Sequence, residues 1–438
     1  MAELFSDRLS IFPVTAKVSP VGRLSIAGCD SVTLAQQYGT PLYVYDGATI
    51  KGQIFRVQGL IREHYGENAL VAYAGKAYFS YALAKKLAEF GIGADLVSIG
   101  DIRVAQKAGL DPDGIHLHGN NKSAEEINAA LDWGIQAIVV DSLDELEFVE
   151  TLAAQKGKPA CIWLRITPDL TVDTHPHIQT SHTASKFGLH ILDGQANQAI
   201  QKAQASQWLK LVGLHTHLGS QLRDPQVYKE AIDKMYTLAG EEGFIPEEFS
   251  PGGGWGVRYT ENDPSNDPEL WISVVSSTIK AQCLQRGWPL PRLVVEPGRF
   301  TIAQAGVALY TIGAQKTTPD GTRILAVDGG IADNPRVALY AARYTALIAN
   351  KATSPATTST RVVGKFCETG DVLIENVTLP EATRGEILAI PAAGAYQLSM
   401  ASNYNFATRP AVLWLEDGRV EIMQPRERPE DSSWWMNP

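Results

Sequence analysis

ALVAYAGKAYFSYALAKKLAEFG, residues 69–91, is a strand, a turn and a helix in one line. ALVAYAG (69–75) is a short apolar run of strand length closed by a glycine. Past that glycine, Tyr81, Leu83, Ala84, Leu87 and Phe90 recur at the spacing of one helical face, and Gly91 ends the helix. The alternation then repeats. IGADLVS (92–98), GIHLHG (114–119), QAIVVD (136–141), ACIWLRI (160–166), LVGLHTH (211–217), EEFSPGG (247–253) and RLVVEP (292–297) are further strand runs separated by segments of helical period. One of those segments, SAEEINAALDWG, opens with a capping box, Ser123 as N-cap and Glu126 three residues on.

About eight βα units in roughly 230 residues is the content of a (β/α)8 barrel, although a doubly wound sheet gives a similar string. The polar residues favour the barrel. Lys76, Ser98, His118, Asp141, Arg165, His217, the Gly252–Gly254 triplet and Glu296 all fall at or just past the carboxyl ends of successive strands, which in a barrel converge on one mouth.

Beyond about residue 305 the pattern changes to strands without intervening helices: GVALYTIGAQ, RILAVDGG, RVVGKF, DVLIENV, EILAIP, AVLWLED and RVEIMQ. The fold class is therefore α/β plus all-β, a (β/α)8 TIM barrel with a second β-sandwich or β-barrel-like domain. The expected boundaries are an N-terminal segment, 1–46, contributing strands LSIAG and PLYVYD to the β domain; a barrel, 47–305; and the C-terminal β domain, 306–438.

The 438 residues, 45% hydrophobic and 20% charged, suffice for two or three cores, which excludes fibrous and disordered readings. A net charge of −10 without long runs of one sign argues against nucleic-acid or anionic-membrane partners and leaves small molecules or a second copy. Cys29, Cys161, Cys283 and Cys367 lie far apart without metal-ligand spacing, so neither a disulfide framework nor a zinc site is expected. Reduced thiols, the absence of signal character in MAELFSDRLS and the lack of a long apolar run give a cytoplasmic expectation.

Several residues could carry chemistry. Lys76 is either a solvated loop lysine or, placed to reach the centre of a barrel mouth, a Schiff-base lysine. FSPGGGWG (249–256) is a bare tight turn or a backbone cradle for an anion at the usual phosphate position of a barrel. In VVEPGRF (294–300), Glu296 either pairs with Arg299 or holds a pyridine nitrogen protonated while the arginine binds phosphate. His215 and His217 share a strand face in GLHTHLGSQ; metal ligation lacks a completing carboxylate cluster, an imidazole can lie over a planar cofactor, and Ser220 offers a hydroxyl. HPHIQTSHTASKFG (175–188) reads as a polar loop or a metal-binding one. GKFCETGD sets the Cys367 thiol beside Glu368, GAYQ presents Tyr396 after a glycine, and Trp434–Trp435 read as a hydrophobic anchor for the terminus.

In order, the chain carries YAxKA, HGNNKS, THxHI followed by SKFG, HLGSQ, GGGxG, EPGR, CETGD and GAYQ. This series resembles the alanine-racemase-like, fold type III pyridoxal-phosphate enzymes, and within them the diaminopimelate decarboxylases, over nearly the whole chain. The resemblance implies pyridoxal 5'-phosphate linked covalently to Lys76, with His217 stacked on its ring and Glu296 paired to its nitrogen. It gives the phosphate to Ser220, to the amides of Gly252, Gly253 and Gly254, to the loop Glu296, Pro297, Gly298 and Arg299, and to Tyr396. Substrate contacts fall to Arg299, Arg336, Tyr340, Glu368 and Tyr396. Cys367 is implied as the proton donor, reaching across a homodimer interface into the partner's barrel. The implied catalytic residues are thus Lys76, His217 and Cys367, without a metal, and the implied reaction converts meso-diaminopimelate to L-lysine and carbon dioxide. Related ornithine and arginine decarboxylases usually carry Asp after the corresponding Cys, where this chain has Glu368.

Three positions depart from the family pattern: Tyr78 stands where Asn is usual, Pro335 precedes Arg336 where proline more often follows, and Ser181 replaces a glycine before SKFG. A decarboxylase of another basic amino acid or a carboxylated polyamine is the competing enzyme reading. A racemase would need a tyrosine base where CETGD supplies a thiol. A non-catalytic regulator of the same fold would not need Lys76, Glu296 and Cys367 together.

Overall fold

The computed structural model describes residues 7–170 and 185–431, in two compact units. Most of HPHIQTSHTASKFG, with Ser181, and the Trp434–Trp435 tail lie outside the described residues.

The first unit, which among the described residues is 54–170, 185–256 and 266–300, is a closed parallel barrel. Its strands are β1 (Ala69–Ala74), β2 (Gly93–Leu96), β3 (Ile115–Leu117), β4 (Ala137–Val140), β5 (Ala160–Thr167), β6 (Leu209–His215), β7 (Glu248–Gly252) and β8 (Arg292–Val295). Each pairs in parallel with the next, and β8 closes onto β1 through Leu293–Ala69 and Val295–Val71. Helices between the strands start on side-chain caps at Ser80, Ser98, Ser123, Ser142 and Asp267, and the Ser123–Glu126 capping box is formed. The helix Tyr81–Glu89 buries Leu83, Ala84 and Leu87; Tyr81, expected on that face, is 44% exposed.

Inside the barrel, Ala72, Ala137, Val139, Trp163, Val212 and Val294 form an apolar cluster. Trp163 is wholly buried and fits only because β6 carries glycine opposite it: a Cβ on Gly213 would lie 2.6 Å from the indole. The indole N–H donates to Glu248 Oε2 at 2.9 Å, and Arg292 Nη1 donates to Glu248 Oε1 at 3.3 Å.

The second unit comprises, among the described residues, 7–53, 257–265 and 301–431. Its main strands are Leu42–Asp46, Gly306–Thr317, Arg323–Val327, Thr358–Val363, Val372–Leu379, Ile387–Ile390, Ala411–Glu416 and Arg419–Gln424. Leu42–Asp46 lies between Gly306–Thr317, antiparallel, and Ala411–Glu416, parallel. Leu42, Val44, Val307, Leu309, Ala389, Leu413 and Leu415 supply much of its core.

The unit boundaries differ from those read in the sequence. Residues 47–53 stay with the β unit because Thr49 bonds Asp46 and the Gly47 backbone packs against the Trp414 ring. Residues 257–265 join it through Glu261, which accepts from Arg8 and, at 2.8 Å, from Thr345 Oγ1. Residues 301–305 join it because Ala305 O receives the Asp46 N–H at 3.0 Å. The unit is also not purely strands and turns: a five-residue helix, Arg336–Tyr340, follows Asn334–Pro335.

Candidate active site

At the carboxyl end of the barrel strands, Lys76 sits in a 3-10 turn, Gly75–Ala77, directly after β1. Its side chain is exposed, and no hydrogen bond or ion pair to the described residues holds its amine. Its charge acts on Asp95, His215 and His217.

Glu296, just past β8, is buried deep in the same mouth. Ser250 Oγ donates to its Oε1 at 2.6 Å, and His215 Nε2 lies 3.1 Å from its Oε2. With His215 Nδ1 unpartnered and buried, the proton belongs on Nε2, so a neutral imidazole donates to the carboxylate. Burial alone would raise the Glu296 carboxyl, but His215, His118 and the Ser250 hydrogen bond hold it well below the usual carboxylate range. Asp95 on β2 behaves oppositely: burial, then the Glu296 charge, push it well above its ordinary value. Of this buried pair, Glu296 is thus the carboxylate on which negative charge is favoured.

His217 is half-buried, two residues beyond His215 on the same strand face. The Gly253 N–H approaches His217 Nδ1 at 3.4 Å, and burial, then Lys76, keep the ring well below its ordinary pKa and neutral. The Arg299 guanidinium does not pair with Glu296; Nη2 and Nε donate to Ser220 Oγ at 2.9 and 3.2 Å. The triplet lies so close to its neighbours that a Cβ at Gly252 would stand 2.5 Å from Thr216 O, at Gly253 2.0 Å from Glu296 O, and at Gly254 2.1 Å from Gly219 O. Gly298 is similarly confined, 2.9 Å from the Ala74 side chain, which draws the loop following Pro297 against β1.

The barrel thus brings together Lys76, His217, Ser220, Gly252–Gly254, Glu296, Pro297, Gly298 and Arg299. Two residues holding this site were not singled out in the sequence, Ser250 and Asp95. Each is a polar residue inside a strand run, and its inward direction was the available signal. His118, His215 and Glu296 also gather with ligand atoms within 4.8 Å of one another, but Glu296 already accepts from His215 and Ser250.

The β unit carries the remaining candidates. Arg336 is 6% exposed; its Nη1 donates to Tyr344 Oη at 2.6 Å and its guanidinium lies 4.9 Å from the Tyr259 ring centre. No carboxylate pairs with it among the described residues. Tyr340 Oη reaches Met400 Sδ at 3.9 Å. Cys367 and Glu368 are exposed on the loop between Thr358–Val363 and Val372–Leu379, and the Gly370 N–H donates to Glu368 Oε1 at 3.2 Å. Tyr396 holds a left-handed backbone, φ 61°, a conformation a non-glycine residue keeps only where its surroundings impose it.

Residues 51–303 match the family described as pyridoxal-dependent decarboxylase, pyridoxal binding domain. The chain is 40% identical over 424 residues to the diaminopimelate decarboxylase of Halalkalibacterium halodurans, covering 96% of each chain. It is similar to the solved diaminopimelate decarboxylase of M. jannaschii in complex with L-lysine, with a TM-score of 0.88 and 32% identity, over 95% of this chain and 96% of that one. The Helicobacter pylori diaminopimelate decarboxylase complexed with L-lysine gives a TM-score of 0.83 at 32% identity, over 91% and 97%.

Proposed function

From its membership of the pyridoxal-dependent decarboxylase family, and within it of the diaminopimelate decarboxylases, to which this chain belongs, we infer that it converts meso-diaminopimelate to L-lysine and carbon dioxide with pyridoxal 5'-phosphate. It is a carboxy-lyase. The barrel mouth fits that cofactor on its own chemistry: an amine that no described group bonds, a buried ionised carboxylate, a neutral imidazole, and a cationic and hydroxyl pair beside close-packed glycines.

Lys76 would hold the cofactor covalently, His217 would face its ring, and Ser220, Arg299 and the Gly252–Gly254 amides would hold its phosphate. Tyr396 is proposed to add to the phosphate contacts. Bound there, pyridoxal phosphate supplies a protonated ring that accepts the electron pair left on the α-carbon when the carboxylate departs. Glu296, whose carboxyl is held well below the usual range at the depth of the mouth, would keep the proton on the ring nitrogen. Cys367 is proposed to return a proton to the α-carbon from the partner subunit of a homodimer, and an exposed reduced thiol suits both that role and a cytoplasmic setting. Arg299 and Tyr340 are proposed to complete the substrate contacts.

One observation carries the choice of substrate. Arg336 is a buried guanidinium without a carboxylate partner among the described residues, a costly arrangement unless an incoming anion completes it. The distal end of diaminopimelate offers a carboxylate and an ammonium together, and Glu368 is proposed to take the ammonium. The test is carbon dioxide release from a panel of diaminopimelate stereoisomers, lysine, ornithine and arginine. Preferential turnover of the meso isomer supports the reading, and preference for ornithine or arginine overturns it.

A further inference from the structure

Asp371 closes the sequence CETGD and is 3% exposed within the β unit. Its carboxylate accepts from two loops at once. The Ile331 N–H donates to Oδ1 at 2.6 Å and the Phe366 N–H to Oδ2 at 2.7 Å. The first loop, 329–334, leads into the helix of Arg336 and Tyr340; the second, 364–370, carries Cys367 and Glu368. Backbone bonds complete the junction: Lys365 N–H to Gly329 O at 3.1 Å, Gly364 N–H to Asp371 O at 2.9 Å, and Asp371 N–H to Glu368 O at 3.1 Å.

Two glycines make room for the carboxylate. A Cβ on Gly330 would stand 2.3 Å from Asp371 Oδ1, and one on Gly364 2.2 Å from Oδ2. Gly364 has no left-handed backbone to explain it, so the space for Asp371 is the physical reason for a glycine there. The first loop is tied in turn to the sheet. Gly330 N–H donates to Asp333 Oδ1 at 2.9 Å, and Asp333 Oδ2 accepts from the Tyr43 and Tyr310 hydroxyls at 3.0 and 2.5 Å. A continuous set of bonds therefore runs from the buried sheet to the loop of the thiol.

We propose that Asp371 is a positioning residue, whose single carboxylate clamps the 364–370 and 329–334 loops so that Cys367 and Glu368 stand in register with Arg336. The proposal rests on the decarboxylase function inferred for this chain. Exposed loop residues gain a fixed position only when their backbone is bound elsewhere, and a displacement near 1 Å of a reacting group costs on the order of 100-fold in rate.

Two variants test it in the cofactor-loaded enzyme. Asp371→Asn keeps the volume but turns one acceptor into a donor facing an N–H, which releases one loop. Gly364→Ala leaves Asp371 in place and puts a methyl where its carboxylate sits, so it tests the same clamp should Asp371→Asn fail to fold. Each should lower kcat on diaminopimelate about 100-fold while the cofactor absorbance is retained. In a Cys367→Ala background the same change should alter kcat by less than about 3-fold, because the thiol whose place was lost is already gone. Equal losses in both backgrounds would make Asp371 merely structural and overturn the proposal. A second readout needs no turnover: iodoacetamide alkylation of Cys367, followed by peptide mass, should quicken at least about 10-fold when the loop is freed. If the wild type fails to decarboxylate diaminopimelate, the functional reading falls, while an unchanged alkylation rate overturns the clamp alone.

Discussion

His215 Nε2 donates to Glu296 Oε2 across 3.1 Å in the mouth of the barrel, with the Trp163 indole stacked behind the imidazole at 15° and 6.3 Å between ring centres. Trp163 is itself held by its bond to Glu248 and packed against Gly213, so the histidine that bonds Glu296 stands against a buried, hydrogen-bonded ring. His215→Phe should keep the stacking and remove the donor. A buried acceptor left unpaired costs about 1–3 kcal/mol, which converts to roughly 5- to 150-fold if it weakens the charge that the reaction relies on. The measurement is kcat together with the absorbance of the bound cofactor. Unchanged kcat and spectrum would show that Ser250 alone holds Glu296.

Lys76→Ala should abolish turnover, because it removes both the covalent anchor of the cofactor and the amine that drives product release. The near-ultraviolet or visible absorbance that borohydride abolishes in the wild type should vanish with it. Near-wild-type activity in this variant would end the pyridoxal reading.

Much of this arrangement was legible from strand ends. Polar residues that interrupt apolar runs at Lys76, His217 and Glu296 mark the mouth because a barrel gathers the carboxyl ends of its strands, and pairing through β8 and β1 closes that circle. Partners contributed from a distance were not legible. The Tyr259 and Tyr344 rings around Arg336 come from separate loops, and nothing in RYTEND or ARYTAL announces a guanidinium site. The shift of 257–265 to the β unit was equally hidden, since it depends on Glu261 meeting Arg8. In CETGD the thiol and glutamate drew notice for their chemistry, while Asp371, whose work is done through backbone amides, carried no reactive signal.

Subunit mixing tests the shared site. If Cys367 acts in the partner's barrel, Lys76→Ala and Cys367→Ala subunits, each nearly inactive alone, should complement after exchange. Random pairing of equal amounts should restore about a quarter of wild-type activity if the sites act independently. No recovery after demonstrated exchange would put thiol and lysine in one subunit or make the thiol dispensable.

The barrel's buried histidines should make the fold less stable in acid. His116 is wholly buried and stacked on Trp163 at 4.0 Å, and burial pushes its pKa down to about 3. Above about pH 6.5 the ring is neutral folded or unfolded and contributes no pH dependence. As the pH falls from there towards 3, the unfolded chain takes up the proton first, so stability is lost at up to about 1.4 kcal/mol per pH unit. His118, His215 and His217, all lowered by burial, act in the same direction. His116→Phe should therefore flatten the fall of denaturant-measured stability between pH 6.5 and 4.5, by about 2.3 kcal/mol if the substitution packs well. An unchanged slope would mean that the unfolding unit does not include β3.

The proposed substrate choice can be tested at Arg336. Diaminopimelate ends in a zwitterionic centre, so its site must offer a cation and an anion together, a demand that Arg336 with Glu368, the pair proposed above, would meet. Lysine or ornithine ends in an ammonium alone and would leave the guanidinium, 6% exposed and bonded to Tyr344 Oη, without its carboxylate. A site built to pair polar groups rejects an analogue lacking them by up to about 10⁴-fold, far beyond what an apolar pocket achieves. The proline before Arg336 does not turn the side chain outward: Pro335 caps the short helix, and the guanidinium lies buried against the Tyr259 and Tyr344 rings. Arg336→Ala should weaken diaminopimelate turnover severely and narrow the preference over lysine, and Glu368→Gln should weaken it less, by removing charge while keeping shape. The measurement is kcat/KM for both substrates with each variant. An unchanged diaminopimelate-to-lysine ratio in Arg336→Ala would mean that this arginine serves only its tyrosines, and the distal carboxylate would have to be recognised elsewhere.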